Sequence, residues 1–73
     1  MRTLQGGGKL IGLKFMRKAA ACTQSELADL LGVAQSTVAM WETGKAYPRA
    51  ELLPVIAKTL NCTIDELYSG QSA

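Results

Sequence analysis

An all-α domain is the fold class this sequence predicts, and three observations predict it. Seventy-three residues can bury one hydrophobic core at most, which favours a fold rich in local contacts over a large sheet. Apolar residues recur at three- and four-residue spacing in several separate segments. The start signal Thr-x-x-Glu occurs twice, as TQSE at Thr23 and TIDE at Thr63, where the hydroxyl can cap free amides and the glutamate can reach back to the capping residue.

The elements follow in order. Residues 1–8, MRTLQGGG, carry three consecutive glycines and read as a flexible tail, so the domain proper spans 9–70. GGGKL is no phosphate-binding loop, because no strand precedes it and no Ser or Thr follows Lys9. The first helix is expected from Lys9 to Ala21, with Leu10, Leu13, Met16, Arg17 and Ala20 on its core face. Ile11, Phe15 and Ala19 form a second apolar face, which needs a cover of its own. The second helix starts behind Thr23, turns Leu27, Ala28 and Leu31 inward, and ends at Gly32, a residue free to adopt the left-handed conformation. The third runs from Gln35 to Thr43 and stops at Gly44. The fourth, in ELLPVIAKTL, buries Leu53, Ile56, Ala57 and Leu60. Its Pro54 is tolerable only in a first turn, which sets the start near Glu51 or Leu52, and Asn61 is a left-handed stop. The fifth opens at Thr63 and Glu66, carries Ile64, Leu67 and Tyr68, and closes at Gly70; 71–73 form a short tail.

Composition removes several function classes. With two cysteines, Cys22 and Cys62, and no histidine, the chain builds neither a four-ligand zinc site nor a disulfide framework, and both thiols read as small apolar packing residues. No catalytic or metal-binding cluster is visible, which argues against an enzyme, a cofactor or a small-molecule ligand. There is no apolar run of about 18 residues and no signal-peptide cleavage pattern, so a cytoplasmic location without membrane contact is expected. The net charge of +2 is a weak pointer, and the placement of charge matters more.

That placement is informative on the third helix. Projected at about 100° per residue, Gln35, Ser36, Ala39, Met40 and Thr43 occupy one arc of about 140°, opposite Thr37, Val38 and Trp41. The outer arc is uncharged and made of short or flexible groups, unlike a solvated face rich in Lys and Glu. It suits a DNA major groove about 12 Å wide. There Gln35 can pair with adenine through its amide, Ser36 can donate or accept, and Ala39 and Met40 can touch a thymine methyl. Thr43 at the end of the helix, with Lys45 and Arg49 beyond it, is placed for phosphates.

The run QSELADLLGVAQSTVAMW, with WETGKAYP after it and LNCTIDEL near the end, resembles the helix-turn-helix of the phage-repressor and Cro-like family. Ala28 stands where two helices approach closely, Gly32 at the tight turn, and Leu27, Val33, Val38 and Trp41 where the helices pack. The resemblance covers residues 10–69 and implies a compact five-helix, lambda-repressor-like domain whose second and third helices bind double-stranded DNA. It implies a phosphate contact for Gln24, which also sits at a helix amino end. It further implies an ion pair between Arg17, whose place on a core face demands a partner, and Glu42. Two positions depart from the family's habit: Ala34 stands where a capping Ser is common, and Met40 where a polar or basic residue is.

The expected function is transcriptional regulation, with repression the default since it requires only occupation of DNA. A weak homodimer on a two-fold symmetric operator is expected because one helix touches too few base pairs for selectivity. Its surface is sought among Ile11 and Phe15 on the first helix and Ile64, Leu67 and Tyr68 on the fifth, with the fifth favoured. The alternative is a protein-interaction module of the same fold, antitoxin-like or coactivator-like, for which the second face of the first helix speaks.

Overall fold

The structure, a computed structural model, describes residues 10–69. Within them lie five α-helices: α1 (Leu13–Ala19), α2 (Gln24–Leu31), α3 (Gln35–Thr43), α4 (Leu53–Thr59) and α5 (Ile64–Ser69). A 3-10 turn, Ala50–Leu52, leads into α4, and no strand occurs among the described residues. The expected tails, 1–8 and 71–73, together with Lys9 and the closing Gly70, lie outside the described residues.

Both capping boxes form. The Thr23 hydroxyl accepts from the Glu26 amide at 3.0 Å while the Thr23 amide donates to Glu26 Oε1 at 2.9 Å. The corresponding distances at Thr63 and Glu66 are 3.1 and 2.8 Å. At the head of α3, Ala34 has the extended backbone of a capping residue but no side chain to cap with.

The helix ends share one device. Ala21, Gly32 and Asn61, after α1, α2 and α4, have φ of 55°, 73° and 57°, in the left-handed region. In each case the next amide reaches back five residues: Cys22 to the Arg17 carbonyl at 3.0 Å, Val33 to Ala28 at 3.0 Å and Cys62 to Ala57 at 2.8 Å. This is the Schellman motif, which places an apolar residue just beyond the left-handed one against the helix it ends. Cys22, Val33 and Cys62 all pack on the core there. The two cysteines thus stand where the motif asks for a medium apolar side chain.

Two boundaries differ from expectation. α1 is shorter than 9–21, because the Gly12 amide donates to the Leu67 carbonyl of α5 at 2.8 Å and residues 11–12 form a turn instead. At its other end the left-handed Ala21 turns the chain away, so Ala20 is exposed and leaves the core face assigned to it. α4 begins at Leu53, one or two residues past the expected start at Glu51 or Leu52, with Pro54 in its first turn and Leu53 only half-buried.

The core collects one side of every helix. Leu10, Leu13, Leu27, Val38, Ile56 and Leu67 are fully buried, with Met16, Ala28, Trp41, Ala57 and Leu60 around them. Leu67, one of the residues sought for a dimer surface, is 0% exposed and is removed from that set: it packs beneath α1, where its own carbonyl receives Gly12. Ile11 and Phe15, by contrast, stand 64% and 59% exposed.

Candidate nucleic-acid interface

α2 and α3 pack closely on one another, with the small Ala28 buried and Val38 and Trp41 facing inward from α3. The turn between them is Gly32. A Cβ there would meet nothing within 4 Å, so the glycine serves the positive φ and not a close approach. This packing turns the other side of α3 outward: Gln35, Ser36, Met40 and Thr43 are exposed and Ala39 is half-buried. The proposed reading arc is one continuous uncharged face. Thr43 spends its hydroxyl proton on the Met40 carbonyl at 3.2 Å, which leaves its oxygen free to accept.

Beneath this face lies a line of charge-assisted and amide hydrogen bonds. Arg17 and Glu42 are brought together, Nε to Oε2 at 2.6 Å, with side chains 9% and 4% exposed. A second contact, Nη2 to Oε1, is 3.3 Å, and Nη1 donates to the Cys22 carbonyl at 2.8 Å. The guanidinium is therefore engaged on three sides, the arrangement that makes a buried charge tolerable. Glu42 Oε1 also accepts from Gln24 Nε2 at 2.9 Å, and Gln24 Oε1 accepts from Gln35 Nε2 at 2.6 Å. Sequence reasoning assigned Gln24 and Gln35 separate roles and missed that they touch. They open two different helices on either side of the turn at Gly32, so only the docking of α2 on α3 brings them together.

Two basic residues follow the arc in the chain. Lys45 and Arg49 are exposed in the segment that follows α3, the first held by its backbone amide to the Met40 carbonyl at 2.9 Å. In the same loop Tyr47 meets Tyr68 of α5, hydroxyl to hydroxyl, with ring centroids 6.4 Å apart. This pair also escaped the sequence reading, and it fixes the loop to the end of the domain.

Other chemistries find little footing. Among the described residues no three His, Cys, Asp or Glu side chains gather as for a metal ion, and no helix is long and apolar enough to cross a membrane. Both thiols are pushed above the usual cysteine value, Cys22 by burial and then by Glu26, with Arg17 opposing, and Cys62 by burial and then by Glu66. Both shifts favour the thiol over the thiolate.

Comparison with known proteins agrees with this geometry. A family model described as Helix-turn-helix matches residues 13–67. The chain is 42% identical over 59 residues to the HTH-type transcriptional activator BcrR of Enterococcus faecalis, covering 81% of this chain and 29% of that protein. It is 39% identical over 51 residues to the cryptic phage CTXphi transcriptional repressor RstR of Vibrio cholerae, covering 70% and 46%. Its fold is similar to the P22 c2 repressor in complex with a synthetic operator, with a TM-score of 0.72 and 28% identity over 94% of this chain and all of that one. It is also similar to part of iron(II) HppE in complex with substrate, with a TM-score of 0.74 and 29% identity over 86% of this chain but 41% of that one. The chain spans about half the length, or less, of the curated relatives it matches.

Proposed function

The chain belongs to the helix-turn-helix family, and on that premise we propose that it is a sequence-specific regulator of transcription that binds double-stranded DNA with α3 in the major groove. One observation carries the reading: the exposed arc of α3 is uncharged from Gln35 to Thr43, is followed in the chain by the exposed Lys45 and Arg49, and holds its best base reader, Gln35, against Gln24 at 2.6 Å. A reader fixed before binding loses less side-chain entropy on contact with a base. In this reading Gln35 addresses adenine, Ser36, Ala39 and Met40 touch neighbouring base edges, and Gln24, Lys45 and Arg49 hold phosphates, joined by Thr43 when its hydroxyl turns from the Met40 carbonyl to a phosphate oxygen. Gln24 has one amide hydrogen left for a phosphate, since its oxygen and its other hydrogen are engaged within the protein.

Repression is the simpler mode of action, because occupation of a promoter excludes other proteins without further machinery. RstR and P22 c2 are named repressors and BcrR an activator, so likeness alone does not fix the sign. The place of action is the cytoplasm, where the DNA partner lies, and no enzymatic role is proposed. The test is selection of bound duplexes from a random DNA library. A two-fold symmetric consensus is expected, and failure to enrich any sequence sinks the reading.

A second reading has one observation of its own, the exposure of Ile11, in the turn before α1, and of Phe15 in the first turn of that helix. An apolar face of this kind suits a protein partner of an antitoxin-like or coactivator-like module. Loss of DNA binding on substitution in α3 decides for DNA. Retention of function in such variants, with loss on Phe15→Ser, decides for the partner.

A further inference from the structure

Hydrogen-bond chemistry gives the line from Arg17 to Gln35 a direction. Glu42, ion-paired to Arg17, can only accept. The Gln24 group that faces it at 2.9 Å must therefore be the NH2, which turns the Gln24 oxygen towards Gln35. Gln35 must answer with its own NH2, at 2.6 Å. What Gln35 has left for a base is one oxygen and one N–H, the acceptor-and-donor set that matches the N6 amine and N7 of adenine. No choice of amide orientation enters this chain, because each link is dictated by the one before it.

We infer that Glu42, held by Arg17, is a positioning residue for base recognition: through Gln24 it fixes which face of the Gln35 amide meets the DNA, and so selects adenine over guanine. The inference rests on Gln35 being the base reader and adds what sets its preference.

Replacement by the isosteric amide makes the sign explicit. In Glu42→Gln the single oxygen is claimed by Arg17, whose Nε approaches at 2.6 Å, so the new NH2 faces Gln24. Gln24 then turns its oxygen to position 42 and its NH2 to Gln35. Gln35 accepts with its oxygen and is left with two N–H groups, which suit N7 and O6 of guanine, both acceptors.

The experiment uses the full chain and the duplex selected from a random library, made in four versions that differ only at the base pair sensitive to Gln35→Ala. The unmodified protein is expected to prefer adenine over guanine there by about 5- to 150-fold. Glu42→Gln should shrink that ratio several-fold or reverse it, whereas a merely structural role would lower affinity for all four duplexes alike. Gln24→Met, which cuts the line but leaves the ion pair in place, should narrow the same ratio, and it serves where Glu42→Gln does not fold. Adding Glu42→Gln to Gln24→Met should then change the ratio no further. An unchanged ratio in Glu42→Gln means that a bound phosphate, and not Glu42, directs Gln24, and overturns the inference. So does an unchanged ratio in Gln24→Met. If Gln35→Ala itself leaves every base preference intact, the assignment of Gln35 fails instead, and the two failures are told apart.

Discussion

In the proposed reading, Gln35 and Lys45 make two different kinds of contact with DNA. Gln35→Ala removes a bidentate pair, so it should weaken binding to the preferred site by about 1–3 kcal/mol and relax preference at one base pair per half-site. Lys45→Ala removes a charge near a phosphate, so it should lower affinity for all sequences alike and reduce the slope of log affinity against log salt by about one unit. Titrations of both variants on matched and mismatched duplexes over a salt series check the division; uniform loss in both would mean the reading face lies elsewhere. Ala21 makes a different point. It holds φ 55° with an exposed side chain, and an L-residue in that conformation costs about 1–2 kcal/mol. Ala21→Gly removes the strain and returns part of the gain as backbone entropy, leaving a stabilisation of about 0.5–1 kcal/mol. Urea unfolding should show the midpoint rising, and a fall would mean that the Ala21 methyl makes a contact worth more than the strain.

Between elements, the Arg17–Glu42 pair joins α1 to the last turn of α3 and is shielded from water on both sides. Arg17→Met strands a buried carboxylate, left with the Gln24 amide as its remaining side-chain donor, at a cost of about 3–5 kcal/mol, a large share of the stability of a domain this small. Removing Glu42 as well, in Arg17→Met with Glu42→Leu, takes away the stranded charge and should recover part of the loss. Thermal unfolding of the two single variants and the double variant closes the cycle. A double variant as unstable as the sum of the singles would show no coupling. The left-handed helix ends act at the same scale: by seating Cys22, Val33 and Cys62 on the core they set the angles at which α1, α2 and α4 hand over to the next helix.

For the molecule as a whole, a single α3 spans only a few base pairs, so selectivity in a genome calls for two copies with their recognition helices about 34 Å apart in successive major grooves. With Leu67 buried, the surface around α5 that remains for pairing is Ile64 and the Tyr47–Tyr68 contact. Such a patch is small, and the resulting dimer is expected to form at high concentration or on the operator. Sedimentation over a concentration series, with and without the selected symmetric duplex, should show one chain becoming two. A chain that stays single on its best duplex sinks the dimer, and a dimer broken by Phe15→Ser but not by Ile64→Ser would move the interface to α1.

Much of the fold was legible because its signals are local. Thr23 and Thr63 with their glutamates, Gly32, Gly44 and Asn61 mark helix ends through interactions that span a few residues, and the spacing of Leu27, Val38 and Ile56 marks the faces that turn inward. The exposed arc of α3 was legible for the same reason, since one helix's periodicity defines it. What the sequence by itself did not determine depends on contacts between distant segments. The start of α1 was set by the Gly12 amide finding the Leu67 carbonyl, 55 residues away in sequence. Ala21 took a left-handed conformation that no local preference of alanine favours, because the packing of α1 against α5 and α3 outweighs it. The line from Arg17 through Glu42 and Gln24 to Gln35 belongs to no single element: hydrogen bonds act over about 3 Å, and only tertiary packing brings side chains from three helices within that reach.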